Sequence, residues 1–361
     1  MKVQIKKQSS VMLRILKSEK WAELPMRVGF GSFMHPTEKR LILIKQLGVD
    51  DIILNMYKNN LIDTNFDFLP LTGDKQWEYK ELLLLRNRVE NSNIRLLALE
   101  NMPFSFYDKI MMGLPGRQEQ LKHIQETISN LGRAGIPVLG YGWTPSGVWR
   151  SSTSFKIRGG AESMSVNLND FIKAPLSHGR VFSEEEMWEN YQYFLEGVLP
   201  IAEEFGVTLA LHPNDPPVPI LGGVPQLFRS FKAFKKGMNL VKSENHGLLY
   251  CLGNFSAMGE DINMVTEYFA KRNKIVYVHF QTISNSLDGN TKFNEVFVDM
   301  PGYYDPISIL SKLKEVGFKG MIMPGHVPKI IGDESWKERG RSFTIGYIKG
   351  VISTLNSGIR S

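Results

Sequence analysis

Four side chains that can bind a transition metal follow short apolar runs in the second half of the chain. They are His212 in LALHP, Cys251 in LYCLG, His279 in VYVHF and His326 in MPGH. Imidazole nitrogen and thiolate sulphur suit divalent Mn, Fe, Co, Ni or Zn, whereas Mg and Ca prefer oxygen ligands. Taken singly, each histidine has a plainer interpretation as a hydrogen-bonded core residue, and the cysteine as a small buried apolar residue. The four together favour a metal site.

The elements that must position these side chains are short apolar runs separated by amphipathic segments. The runs contain much Val, Ile and Leu with little alternation, which is typical of parallel strands covered on both faces. Segments such as 116–135, 183–206 and 305–318 have the periodicity of helices, and several end at a glycine just before the next run. The eight runs are 27–31, 51–55, 94–100, 136–142, 207–213, 246–253, 275–281 and 320–326.

Eight strand and helix repeats predict a single α/β domain, a (β/α)8 TIM barrel, although 361 residues could also form two average domains. We assign residues 1–25 to an N-terminal extension and 26–361 to the barrel. Because the carboxyl ends of barrel strands share one face, the four candidate ligands are expected to meet there. The longest connection, 143–183, follows a strand and is expected to lie over that face as a lid or binding loop.

The composition excludes several classes of protein. Hydrophobic residues make up 42% and charged residues 22%, as in ordinary globular proteins with a sizeable core. The net charge of +6 comes from scattered Lys and Arg, which argues against nucleic acid and suits a small anionic substrate. The single cysteine allows no intrachain disulfide, and no apolar stretch is long enough for a membrane span. We therefore expect a cytoplasmic protein that binds neither nucleic acid nor membrane.

Three cations of the long connection are candidates for binding a substrate carboxylate. Arg150, Lys156 and Arg158 lie in a polar, glycine-bearing segment that follows a predicted strand. Arginine can bind a carboxylate through two parallel hydrogen bonds, and lysine through its point charge. The alternative is that these side chains are exposed and solvated.

Other polar and aromatic residues near strand ends have two interpretations each. Tyr141 and Trp143 could stack on a sugar face or pack in the core. Glu100, at the end of its run, could be a pocket carboxylate that contacts substrate or a cap on the next turn. Asp215 could orient the His212 ring as an outer-shell partner that does not itself bind the metal, or it could form the turn before two prolines.

Several motifs together resemble one family, the metal-dependent mannonate dehydratases, which are related to the xylose-isomerase-like barrels. The resemblance runs in order from about residue 50 to 355. The motifs that carry it are LENMPF, RGGA, LALHPNDPP, YCLGN, VHFQTI, FNEVF, MPGHVP and GYIKG.

The resemblance implies roles for the four candidate side chains. His212, Cys251 and His279 match three metal ligands of the family, and His326 matches its proton-transfer residue. The implied cofactor is a divalent transition metal, with Mn or Fe favoured over Zn, Co and Ni. The implied activity is that of a lyase that dehydrates mannonate or a related hexonate to a 2-keto-3-deoxy acid. Related barrels often associate, so a homo-oligomer is expected.

The chain departs from the family pattern at four positions. Gly325 stands where the family has its fourth metal ligand, the aspartate of PDH. Asn214 replaces the first aspartate of HPDDPP, Gln281 the arginine of VHFR, and Asn294 the histidine of FHE. His326 could move into the vacated ligand position at the cost of its acid–base role. We therefore expect weak dehydration of mannonate itself.

Two other functions stay open from the sequence. One is an isomerase or epimerase of a sugar or sugar acid, which needs similar residues but loses no water. The other is a redirected relative without dehydratase activity, in which loss of the carboxylate at position 325 removed the original reaction. A product assay distinguishes the first from dehydration, and metal content identifies the second.

Overall fold

The computed structural model describes residues 21–56, 71–172, 174–334 and 336–357, so most of the predicted N-terminal extension lies outside the described residues. The strands, numbered in chain order, are β1 (Arg27–Val28), β2 (Phe30–Phe33), β3 (Asp51–Asn55), β4 (Arg95–Glu100), β5 (Val138–Gly142), β6 (Ser152–Lys156), β7 (Glu162–Asn167), β8 (Thr208–His212), β9 (Ile220–Leu221), β10 (Val224–Pro225), β11 (His246–Cys251), β12 (Ile275–Phe280), β13 (Thr282–Ile283), β14 (Lys292–Val296) and β15 (Met321–Pro324).

The α-helices follow between these strands. They are α1 (Glu38–Gln46), α2 (Tyr79–Glu90), α3 (Asp108–Met111), α4 (Arg117–Ala134), α5 (Glu184–Phe205), α6 (Phe231–Leu240), α7 (Leu252–Ala257), α8 (Ile262–Ala270), α9 (Pro306–Glu315) and α10 (Glu338–Asn356). Short 3₁₀ turns cover Phe104–Phe106, Arg158–Gly160 and Leu168–Asp170.

A closed ring of parallel strands forms the centre of the fold. Its order is β1, β15, β12, β11, β8, β5, β4, β3, β2. Residues 27–33 supply both ends of the ring, because β1 pairs with β15 while β2 pairs with β3. The ring strands coincide with the eight apolar runs, so the prediction of a single TIM barrel is confirmed.

The outer helices begin and end where local signals predict. Ser183 caps α5 by accepting a hydrogen bond from the Glu186 amide. Gly135 after α4 and Gly206 after α5 adopt the left-handed conformation that ends a helix most easily at glycine. Within the described part of the chain, no helix combines the length and apolar character needed to cross a membrane.

Inward-facing side chains fill the barrel in layers. Because side chains alternate along a strand, every second residue points to the axis, with one additional residue at Leu97 and at Val276, where the pairing register shifts. The apolar members of this interior cluster are Ile53, Leu97, Ala98, Val138, Ala210, Leu249, Cys251, Val276, Tyr277, Met321 and Met323. Two positions further along their strands, toward the carboxyl ends, Ala98 is followed by Glu100, Ala210 by His212 and Tyr277 by His279. The barrel thus changes from apolar to polar at the face where active sites form.

The long connection after β5 contains regular structure. Residues 152–156 and 162–167 form the antiparallel hairpin β6–β7, and β7 pairs with β14 from the connection after β12. The sequence predicted a lid or binding loop here. Alternation in stretches such as SMSVN accounts for the strands, and β14 supplies the edge on which they pair.

A buried ion pair stabilises the amino-terminal side of the ring. Asp51 at the start of β3 accepts hydrogen bonds from Arg27 of β1 at 2.6 Å and Arg95 of β4 at 2.7 and 2.8 Å. Burial opposes ionisation of Asp51, but Arg95 and Arg27 outweigh it and hold the carboxyl pKa below its usual value of 3.8. One carboxylate therefore joins three parts of the ring.

We expect Asp51→Asn to lower the free energy of unfolding by about 2 kcal/mol, the scale of hydrogen bonds to a charged group. The difference from the parent should persist above pH 3.8 and shrink as the pH falls through the lowered folded pKa, since protonation removes the same charge. Urea unfolding at several pH values measures this. Asp50→Asn is the control, because Asp50 is 61% exposed in its pair with Lys45, and equal losses in both variants would contradict the prediction.

Candidate active site

Three of the predicted ligands converge at the carboxyl end of the barrel. The ligand atoms of His212, Cys251 and His279 all lie within 4.8 Å of one another. They come from the ends of β8, β11 and β12, which are neighbours in the ring. The two imidazole rings are 5.6 Å apart between centroids. Two imidazoles and one sulphur at this separation fit a divalent transition metal.

Burial keeps two of these side chains, His212 and Cys251, in their uncharged forms. His212 Nδ1 lies 2.7 Å from the carbonyl oxygen of Pro213, to which it can donate. Burial, and then the neighbouring His279, lower the His212 pKa to about 4, so the ring is neutral at pH 7. Burial raises the pKa of the Cys251 thiol, whose Sγ donates to Asn254 Oδ1 at 3.0 Å. Metal binding must therefore displace the thiol proton.

Glu100 at the end of β4 is a buried carboxylate that contacts His279. Its Oε2 accepts from His279 Nε2 at 3.1 Å and from the Tyr277 hydroxyl at 3.0 Å, and its Oε1 accepts from Ser32. Burial opposes ionisation, but His279 and Ser32 outweigh it and lower the Glu100 pKa to about 2. A carboxylate that is hydrogen-bonded to a ligating histidine fixes the orientation of its ring.

A close approach across the barrel makes the Tyr277 contact possible. A Cβ atom at Gly140 of β5 would lie 2.5 Å from the Tyr277 hydroxyl oxygen and 2.8 Å from Glu100 Cβ. No larger residue than glycine fits at this position without moving both side chains.

His326 lies beside a second buried carboxylate. Its Nδ1 is 2.8 Å from Oε1 of Glu295 on β14, and the imidazole side chain is 38% exposed. Glu295 itself has no exposed side-chain surface, and its Oε2 has no hydrogen-bond partner among the described residues. Burial opposes ionisation of Glu295, but the charge and hydrogen bond of His326 outweigh it and lower the carboxyl pKa. The carboxylate holds Nδ1 as a donor and leaves Nε2 free to exchange protons.

Gln281 connects the histidine–cysteine cluster to the His326–Glu295 pair. Its Oε1 lies 3.4 Å from Cys251 Sγ, and its Nε2 donates to Glu295 Oε1 at 3.2 Å. It replaces the family's arginine, and it occupies the space beside Gly325: a Cβ atom there would be 3.4 Å from Gln281 Cβ. The two groups of residues therefore share one pocket.

Two cations reach the same region from different connections. Arg150, which precedes β6, is only 8% exposed and pairs with Asp215, and its Nε has no partner within the described structure. Lys337 precedes α10 with a left-handed φ of 56°, and its Nζ donates to the carbonyl of Val327 at 2.7 Å. Burial lowers the pKa of the Lys337 amine. Both positive charges help to lower the pKa of the buried Glu295 carboxyl.

Two of the predicted substrate-binding residues lie elsewhere. Lys156 is 63% exposed and pairs with Glu162, while Arg158 is 48% exposed and pairs with Asp299. Both line a cavity of about 620 Å³ to which none of the three candidate metal ligands contributes. Their placement favours the alternative in which these cations are exposed and solvated.

The aromatic candidates of β5 and the following residues lie in the core. Tyr141 is 1% exposed, and its hydroxyl lies 2.8 Å from that of Tyr191 and 3.0 Å from His246 Nε2. Trp143 packs edge-on against Tyr191 with ring centroids 4.9 Å apart. Both therefore fill space between the barrel and α5, as the core-packing alternative stated.

The residues after β8 stabilise the connection around the site. Asp215 pairs with Arg150 rather than with His212. Asn214 donates to the carbonyl of Trp143 and to Gln226, each at 2.8 Å, and accepts from the Phe228 amide. Asparagine at 214 thus serves as a buried structural amide.

Sequence reasoning did not assign roles to Glu295 or Lys337. Glu295 lies within the FNEVF motif, but its motif gave no indication that it would contact His326. No feature of the sequence pointed to Lys337, because a lysine with a left-handed backbone conformation cannot be recognised from the residues around it.

We expect the affinity for Zn²⁺ to rise with pH more steeply in the parent than in Cys251→Ala, by about tenfold per pH unit, because only the parent releases the thiol proton. Cys251→Ala should also bind metal much more weakly at every pH. Competition with a chromophoric chelator between pH 6 and 8 measures both effects. An alanine variant that retains metal as tightly as the parent would show that the thiolate is not a ligand.

Comparison with known proteins identifies the family of the chain. The sequence profile of the family described as D-mannonate dehydratase (UxuA) matches residues 26–172 and 160–361. A mannonate dehydratase of Streptococcus equi subsp. zooepidemicus is 29% identical over 286 residues, covering 72% of this chain and 77% of the relative. The crystal structure of mannonate dehydratase from Streptococcus suis serotype 2 superposes with a TM-score of 0.80 at 26% identity, covering 92% and 96% of the two chains.

More distant structures share the barrel. D-psicose 3-epimerase of Clostridium cellulolyticum H10 superposes with a TM-score of 0.58 at 11% identity, which shows a common fold and nothing about the reaction. The family profile, by contrast, spans nearly the whole described chain in two overlapping matches. The chain belongs to the D-mannonate dehydratase family of TIM-barrel hydro-lyases.

Proposed function

We propose that this protein is a metal-dependent lyase that dehydrates a hexonate sugar acid to a 2-keto-3-deoxy acid. The observation that carries the proposal is the meeting, in one pocket, of a histidine–cysteine metal cluster with the His326–Glu295 pair. His212, Cys251 and His279 would hold the ion, with Mn or Fe favoured. When bound, the metal stabilises negative charge that develops next to the substrate carboxylate.

His326 is the proposed proton-transfer residue. Glu295 accepts from its Nδ1, which orients the ring and leaves Nε2 to take the proton from the carbon next to the carboxylate. The C–H electron pair forms a carbon–carbon double bond as hydroxide leaves the neighbouring carbon. Protonated His326 then gives that hydroxide its proton, so that one water is released. The enol product then becomes the 2-keto-3-deoxy acid.

The charges around the pocket support an anionic substrate. Arg150 is buried, and its Nε has no hydrogen-bond partner among the residues that the structure describes. Lys337 is held in a left-handed conformation that costs a non-glycine residue energy. We assign these two cations, rather than Lys156, Arg158 or Tyr141, to binding the sugar acid. Glu100 is assigned to orienting His279 through its hydrogen bond. The thiol ligand requires a reducing compartment, which favours the cytoplasm.

A panel of C6 sugar acids, including D-mannonate, tests the proposal with metal-loaded protein. We expect one acid to yield a 2-keto-3-deoxy product, activity to disappear with a chelator, and Mn²⁺ or Fe²⁺ to restore it. His326→Gln should lower kcat by about 100-fold or more while the metal content stays unchanged. An isomerised sugar without a keto-deoxy product would instead identify an isomerase or epimerase, and a parent protein that binds no metal would refute the proposal.

We expect Gly325→Asp to bind metal more tightly than the parent and to raise the low activity on D-mannonate. A Cβ atom at 325 lies 3.2 Å from His279 Cβ, so an aspartate there starts beside a proposed ligand, and it adds a negative charge. Gly325→Asn is the control, because it has nearly the same shape without the charge. Metal affinity and mannonate turnover are the measurements. High turnover of D-mannonate by the parent would show that the missing aspartate is dispensable.

A further inference from the structure

Position 325, which supplies the fourth metal ligand in the family, is a glycine in this chain, and the side chain of Gln281 lies beside it. A Cβ atom at Gly325 would lie 3.6 Å from Gln281 Oε1, so the amide oxygen is near the place from which an aspartate would reach the cluster. The same oxygen is 3.4 Å from Cys251 Sγ. The amide oxygen of Gln281 therefore lies beside the proposed sulphur ligand and beside position 325, where the family has its aspartate ligand.

The separation of this oxygen from the sulphur matches two ligands of one ion. With metal–sulphur and metal–oxygen bonds of about 2.3 and 2.1 Å, the two atoms lie about 3.1 Å apart at a right angle and about 3.6 Å apart at a tetrahedral angle. The observed 3.4 Å falls between these values. Gln281 is the first residue after β12 and follows His279 by two residues, and its contact with Cys251 places its side chain on the same side as His279.

The orientation of the Gln281 amide is determined by its neighbours. Its Nε2 donates to Glu295 Oε1, and an ionised carboxylate only accepts, so the oxygen must face Cys251. The side chain is also wedged between two glycines. A Cβ atom would lie 2.7 Å from Gln281 Cδ at Gly253 and 3.4 Å from Gln281 Cβ at Gly325. Only 4% of the residue is exposed.

We propose that Gln281 Oε1 is the fourth protein ligand of the metal, in place of the carboxylate that position 325 has lost. This inference rests on the proposed metal site of His212, Cys251 and His279. A neutral amide instead of a carboxylate leaves the metal and its ligands with one more positive charge, which offsets the positive charge lost with the family's arginine at position 281. The site would therefore bind the metal less tightly, and the bound ion would be a stronger electrophile.

Gln281→Leu tests the proposal, with Gln226→Leu as the matched control. Gln226 is another buried glutamine, which bonds Asn214 and the carbonyl of Val224 and lies outside the ligand cluster. We expect Gln281→Leu to weaken Zn²⁺ binding by about tenfold or more and Gln226→Leu to leave it within about twofold. Visible spectra of the Co²⁺ forms should keep the sulphur-to-metal band in both variants but show altered ligand-field bands only in Gln281→Leu. Unchanged affinity and unchanged bands in Gln281→Leu would overturn the proposal.

A crystal structure of the metal-loaded parent gives a second measurement that does not depend on the variant folding. We expect the metal to lie about 2.1 Å from Gln281 Oε1. A metal bound to Asn254 Oδ1, or to water, at that position would contradict the proposal while leaving the three-ligand site intact. A parent that takes up no metal would instead remove the proposed function itself, so the two failures are distinguishable.

Discussion

Alternation along β12 is the constraint on which the rest of the site depends. Tyr277 and His279 point to the barrel axis by alternation, and Gln281, the first residue after the strand, continues this spacing of two residues with its contacts on the same side. Tyr277 reaches Glu100 across the interior, His279 joins the metal cluster, and Gln281 contacts both Cys251 and Glu295. A shift of one residue in the register of this strand would turn all three outward and remove the site.

The pocket combines groups from two kinds of structure. The ring strands position His212, Cys251 and His279 rigidly, because each ligand ends a strand that is paired on both sides. Glu295 and Arg150 come from the connections, which are held by the pairing of β7 with β14 and by the Arg150–Asp215 ion pair. Such a division places the proposed metal ligands on the stiff part of the fold, and Glu295 and Arg150 on the part that differs among related barrels.

The four departures from the family pattern have structural consequences of different kinds. Asn214 is a buried structural amide, and Asn294 exchanges hydrogen bonds with Ser284 on the paired segment. Gln281 and Gly325 are neighbours, so the loss of the family's arginine and aspartate removes one charge of each sign from the same place. The charges lost at these two positions cancel, while the chemistry offered to the metal and to the substrate changes.

The sequence by itself determined the barrel and the convergence of three candidate ligands, because strand periodicity and the common direction of parallel strands are local and repetitive properties. It also predicted how α4 and α5 end, from glycine. It could not determine that Glu295 would contact His326, that Arg150 would be buried while Lys156 and Arg158 stay exposed, or which way the Gln281 amide would face. Those outcomes depend on how β6, β7 and β14 pair over the barrel mouth, and pairing between distant segments is decided only when the whole chain packs.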